Sequence, residues 1–160
     1  MKLTIAAIGR MKRGAEQELC ARYVDRVSKA GRALSLGPLN VREYTEARAQ
    51  TAQERKQQET NQLLGIAPPH ATKIVLDETG KQFSSRESSA LLARERDQGC
   101  AEMWFFIGGA DGHDPAMLDA ASYKMSLGKM TWPHQIARAL LAEQIYRATT
   151  ILSGHPYHRD

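Results

Sequence analysis

The chain has too little cysteine for the architectures that depend on it. Of its 160 residues only Cys20 and Cys100 are cysteine, and they lie eighty positions apart. Each falls in an otherwise apolar stretch, so both read as buried thiols in a reducing compartment, not as a disulfide framework. There is no Cys-x-x-Cys and no His-x-x-x-His spacing, so no close-spaced metal site is indicated. No apolar run approaches the ~20 residues of a membrane-spanning helix. The apolar opening Leu3-Thr4-Ile5-Ala6-Ala7-Ile8 is too short for a secretory signal and carries no cleavage pattern. The expectation is a soluble, cytoplasmic protein that folds without metal, with residues 1–160 forming one domain of the usual size.

The familiar nucleotide loops are missing as well. Gly108-Gly109-x-x-Gly112 is not Gly-x-Gly-x-x-Gly. The segment after the first apolar run, Gly9-Arg10-Met11-Lys12-Arg13-Gly14, is too basic and differently spaced for a dinucleotide loop. Gly128-Lys129-Met130 lacks the upstream glycine and the following Ser or Thr of a phosphate loop. A kinase or dehydrogenase is therefore not expected.

What the chain does have is an uneven charge. Residues 1–60 hold twelve Lys and Arg against seven Asp and Glu, and the remaining hundred hold ten against eleven. A basic half suits a polyanionic partner, or simply a solubilising surface.

Apolar runs of strand length alternate with segments of helical period, which predicts an α/β fold with a largely parallel sheet. Strands are expected at residues 2–8, 39–44, 73–77, 103–107 and 123–127. Helices are expected over 15–30, where Leu19, Cys20, Tyr23, Val24 and Val27 recur at helical spacing, and over 47–64, whose thin apolar stripe implies exposure. Ser84 and Glu87 form a capping box that opens a helix running to Gly99. Asp114 before Pro115 opens a short one. Pro133 opens the last, with Ala137, Leu140, Leu141, Ile145, Ala148 and Leu152 on its apolar face and a Glu143–Arg147 pair at i, i+4. A second stripe on that helix, Arg138, Ala142, Tyr146 and Thr149, suits a subunit interface.

Three strand ends in the second half, at Leu76-Asp77, Ile107-Gly108-Gly109 and Leu127-Gly128, are followed by turn residues. Ligands of open parallel sheets bind outside the carboxyl ends of the strands, so a pocket is expected there. Among the histidines, His70 reads as solvated, His113 as a turn residue within reach of a ligand, and His134 as a neutral donor in a first helical turn. The last six residues hold His155, Tyr157, His158 and Arg159, which serve either as a reactive tail or as a loose end. Being terminal, they are expected to add little to the core. No Ser-His-Asp or Cys-His arrangement follows from spacing.

Four separated blocks carry a resemblance to a known family. They are Gly108-Gly109-x-x-Gly112, then residues 126–135 (Ser-Leu-Gly-Lys-Met-Thr-Trp-Pro-His-Gln), then Glu143-Gln144-x-Tyr146-Arg147-Ala148, and last His155-Pro156-Tyr157-His158-Arg159. In order and spacing, over the whole chain, they resemble the bacterial ribosomal RNA large-subunit methyltransferase H family of the SPOUT class. That resemblance implies a parallel-sheet SPOUT fold with a C-terminal trefoil knot, a homodimer, and no DNA or membrane partner. It implies methyl transfer from S-adenosyl-L-methionine, with no metal, to N3 of a pseudouridine in helix 69 of 23S rRNA. Leu76, Gly108, Leu127, Gly128, Lys129, Met130, Thr131 and Trp132 would then contact the cofactor. Tyr157, His158 and Arg159 would stand on the substrate side. A non-catalytic ribosome-assembly factor that binds RNA also explains the basic half, but leaves the three glycine-bearing strand ends without a use.

Overall fold

The computed structural model describes residues 1–159. Its centre is a five-stranded sheet, wholly parallel, in the order β2-β1-β4-β3-β5. The strands are β1 (Lys2–Ile8), β2 (Leu39–Tyr44), β3 (Thr72–Gln82), β4 (Glu102–Ile107) and β5 (Tyr123–Ser126). Helices α1 (Ala15–Ala30), α2 (Ala52–Ile66), α3 (Ser85–Asp97) and α4 (Pro115–Asp119) connect them, and α5 (His134–Leu152) follows the last strand.

The two-residue period of the strands sorts their side chains onto two faces. Leu3, Ile5 and Ala7 of β1 join Met103, Phe105 and Ile107 of β4 in one core, closed by α1, α3 and α5. Ala6, Ile8, Trp104 and Phe106 point the other way and are covered by Leu63 of α2 and Met117 of α4. Both faces of β1 and β4 are thus buried, which is why these strands read as unbroken apolar runs.

The α/β expectation holds, with local corrections. The strand expected at 73–77 continues to Gln82 after a register shift against β5 between Leu76 and Lys81. Gly80 lies so close to β5 that a Cβ there would sit 2.7 Å from its backbone. The exposed helix begins at Ala52 instead of residue 47, because Thr51 and Glu54 close a capping box. The Ser84–Glu87 box and the Asp114 cap form as expected. Cys20 is buried, but Cys100 is only half-buried.

One expectation is overturned. Arg138, Ala142 and Thr149, assigned to a subunit interface, are completely buried within the chain itself. The reason is that α5 lies between α1 and α3, with its Tyr146 ring 5.9 Å from Tyr23 of α1. A second stripe on a helix covered by two others is core. No described helix is long and apolar enough to cross a membrane.

Candidate functional site

The carboxyl ends of β3, β4 and β5 open into one cavity of about 850 Å³. Leu76, Gly108, Leu127, Gly128, Lys129, Met130, Thr131 and Trp132, the eight residues expected on the cofactor side, all line it. They come from three segments separated by some thirty and twenty residues of chain, and the parallel register brings them together. The volume lies within the roughly 300–1,000 Å³ of small-molecule sites.

Backbone geometry shapes each wall. After β4, Gly109 and Gly112 form an isolated antiparallel bridge, and Gly112 takes a φ of 80° that favours glycine. A Cβ at Gly108 would lie 3.1 Å from the Gly112 carbonyl and 3.3 Å from the His113 ring. A side chain at Gly108 would press on the Gly112 turn and the His113 ring. After β5, the Ser126 hydroxyl accepts from the Gly128 N–H at 3.2 Å, and Gly128 turns with φ 113°. The Trp132 indole donates to the Leu127 carbonyl at 3.4 Å, closing the loop on itself. Met130 and Trp132 stay exposed at the cavity mouth.

Support for the glycine turn comes from α2, which sequence reasoning had dismissed as an exposed helix. Arg55 donates to both Asp111 carboxylate oxygens, at 2.7 and 3.1 Å, while its own end is fixed on the carbonyls of Ala49 and Gln50. Glu59 is buried against Gly109 and accepts from the Ala47 N–H at 2.9 Å. Arg55 and Asp111 are 56 residues apart, and nothing local in a single sequence pairs them. His113, expected in reach of a ligand, lines the cavity and is buried. Burial pushes its imidazole below the ordinary histidine range, so it is neutral near pH 7. His134 lines the cavity at the start of α5, and His70 is exposed as expected.

The tail is elsewhere. Beyond α5 the chain turns at Gly154 (φ 68°) and folds back along the helix. The Tyr157 ring packs edge-on to Tyr146 at 4.9 Å, and its hydroxyl donates to Glu143 at 3.0 Å and lies 3.1 Å from the Tyr23 hydroxyl. Burial, with these partners, pushes the Tyr157 phenol well above its usual range. It is a donor and not a proton acceptor. Glu143 also pairs with Arg147, whose Nη1 stands 3.4 Å from His158 Nδ1. Arg159 is exposed. Tyr157 thus contributes to packing, contrary to the expectation for a terminal residue.

None of Tyr157, His158 and Arg159 lines the cavity of its own chain. Glu143, which holds Tyr157, is six residues beyond Ala137 at the cavity, or about 9 Å along the helix axis. The structure joins the residues expected to contact the cofactor and leaves those expected on the substrate side apart from them. Among the described residues no cluster of three metal-ligating side chains forms.

A parallel sheet with one cavity at its carboxyl edge, walled by two glycine loops, defines the class. The profile of the family described as "Predicted SPOUT methyltransferase" matches residues 1–158, and the chain belongs to that family. Within it, this chain is similar to proteins named ribosomal RNA large subunit methyltransferase H. That of Rhizobium johnstonii is 50% identical over 159 residues, covering 99% of each chain. That of Brucella anthropi is 49% identical over 160 residues, the whole of both.

Proposed function

We propose that this single-domain chain is an S-adenosyl-L-methionine-dependent methyltransferase of large-subunit ribosomal RNA, acting on N3 of a pseudouridine in helix 69 of 23S rRNA, in the cytoplasm and as a homodimer. The observation that carries this function is the shared cavity of Leu76, Gly108 and the loop 127–132. Full-length relatives bearing the rRNA methyltransferase name support the substrate. The trefoil knot implied by the family resemblance belongs to the same proposal.

The residues present fit the cofactor. Leu76, Ile107, Met125 and Leu127 offer apolar walls for an adenine ring, and the glycines let backbone N–H and C=O groups approach it. Bound there, S-adenosyl-L-methionine supplies a methyl group on a sulfonium that already carries its leaving group. The protein then has two tasks: to orient the nucleophilic N3 and to remove its proton. A neutral His113 suits a cavity that must hold a cation. Arg159 would stabilise the developing N3 anion, and His158 would serve as the hydrogen-bonding or proton-accepting partner. Tyr157, kept protonated, holds the tail to α5.

The separation of tail and cavity gives the dimer its role. The tail reaches a cavity by serving the partner's, so each site would be built from two chains. The test is direct. Purified protein with labelled S-adenosyl-L-methionine should add one methyl group to 23S rRNA of ribosomes from a strain lacking the enzyme, and mass spectrometry should map it to helix 69. A calorimetric titration without binding of S-adenosyl-L-methionine would reject the enzyme in favour of an assembly factor.

A further inference from the structure

We infer that the β1–α1 loop, Arg10-Met11-Lys12-Arg13, is a phosphate-binding lip that grips the substrate RNA beside the cavity, an inference that rests on the RNA methyltransferase function proposed above. Arg10, Lys12 and Arg13 are exposed, and among the described residues none of them forms an ion pair. Of the nine other cations of the basic half five are engaged among the described residues, and the four that are not, Arg22, Arg32, Arg48 and Lys56, are scattered along the chain and not clustered in one loop. Lys2 pairs with Glu102, Lys29 with Asp25 and Arg55 with Asp111, while Arg26 and Arg42 lie over aromatic rings. The acidic residues that follow, Glu16 and Glu18, occupy the first turn of α1, where they complement the positive end of its dipole.

The loop is also placed and held for such a task. It leaves the carboxyl end of β1, the same sheet end on which β3, β4 and β5 open into the cavity. Gly9 (φ 84°) abuts His134, a cavity residue: a Cβ at Gly9 would stand 3.4 Å from His134 Nε2. Three hydrogen bonds fix its backbone. The Gly9 N–H donates to Tyr44 O at 2.7 Å and the Met11 N–H to Glu43 Oε1 at 2.9 Å, while the buried Arg138 donates to Gly9 O at 2.8 Å. A pre-ordered backbone presenting three free cations loses little entropy on binding. Phosphate contacts of this kind fix register and orientation and carry no sequence information. A base entering the cavity has flanking phosphates that must pass over its rim, and the loop starts at Gly9, beside the cavity residue His134.

The test compares the triple variant Arg10→Gln/Lys12→Gln/Arg13→Gln with Lys2→Gln/Lys29→Gln/Arg32→Gln, which removes as many charges from the opposite end of the sheet. Co-sedimentation with purified ribosomes at graded KCl gives binding, and methyl transfer is followed separately. The lip variant should keep its melting temperature and its affinity for S-adenosyl-L-methionine. Its KM for ribosomes should rise at least tenfold with kcat within about twofold, and the slope of log K against log[KCl] should flatten by roughly 2–3, as for three phosphates at roughly 0.7–0.9 each. Should the triple variant misfold, Lys12→Glu alone must flatten the slope. An unchanged slope and KM, or an effect matched by the control variant, overturns the inference. Protein-free 23S rRNA should compete with ribosomes for the wild type and not for the lip variant; equal competition for both assigns the loop to a ribosomal protein and also overturns it. Binding that depends on the loop without any methyl transfer would retain the lip and reject the enzyme.

Discussion

Arg138 of α5, fully buried, donates from Nη1 to Glu43 Oε1 of β2 at 2.7 Å and from Nη2 to the carbonyls of Ile8 and Gly9. One side chain therefore ties the last helix to two strands and to the start of the basic loop. Burial pulls the guanidinium below its ordinary value and Glu43 draws it back, so the charge is held by its partner. Truncating Glu43 leaves the guanidinium of Arg138 buried and alone, whereas Glu43 itself reaches solvent. Glu43→Ala should cost about 3–5 kcal/mol in urea unfolding, and Arg138→Met with Glu43→Leu should recover much of that. Equal losses for the single and double variants would mean that the carbonyl contacts, and not the ion pair, dominate.

Gly108→Val should abolish binding of S-adenosyl-L-methionine. The close approach of Gly112 and His113, with 3.1 and 3.3 Å to a Cβ, leaves no room for a branched side chain. Lys129→Ala, at the exposed end of the second loop, should bind almost normally, because an exposed lysine has no attraction for a sulfonium cation. Calorimetric titration of both variants should give this order, and the reverse would remove the backbone-contact account of the cavity.

His113 predicts a pH dependence. Its pKa is lowered in the fold, chiefly by burial, against the opposing field of Asp77. Below about pH 6.5 the unfolded chain binds a proton that the folded chain does not, so stability falls as the pH drops through that range and toward the lower folded value. Above it the contribution is flat. His113→Gln should therefore narrow the loss of melting temperature between pH 7.5 and pH 5.5. The same loss in the variant as in the wild type would assign the acid sensitivity to other groups.

The cavity was legible in the sequence because its walls are short glycine-bearing turns at the ends of apolar runs, and a parallel sheet can only gather such ends on one side. The strand ends at Leu76, Gly108 and Leu127-Gly128 are read that way, while residues 129–132 enter only through the family resemblance. The stripe on α5 was misread for an equally physical reason: period 3.6 shows which residues share a face and not what covers it. Arg138 looked like a surface residue because its partners, Glu43 and two carbonyls, lie 95 to 130 positions away. Arg55, behind the glycine turn, was missed on the same account.

The tail provides the most exposed prediction. A chain ending at Pro156 loses the Tyr157 ring from its place against Tyr146 and Tyr23 and the hydroxyl from Glu143, so its melting temperature should fall by several degrees. The cavity is about 9 Å away from Glu143 along α5, and affinity for S-adenosyl-L-methionine should be unchanged. Methyl transfer should be lost, since interactions made mainly in the transition state have been removed. Arg159→Ala alone should lower kcat by about 2–3 kcal/mol of transition-state stabilisation, as for losing one preorganised donor. Mixing decides where the tail acts. The truncated chain keeps its cavity and the Gly108→Val chain keeps its tail, and both are inactive alone. Unfolded together and refolded, they should form mixed dimers with one complete site and regain up to about a quarter of wild-type activity, half of the dimers being mixed and each having one working site of two. A mixture as silent as its components would place the tail's action within its own chain, or nowhere in the chemistry.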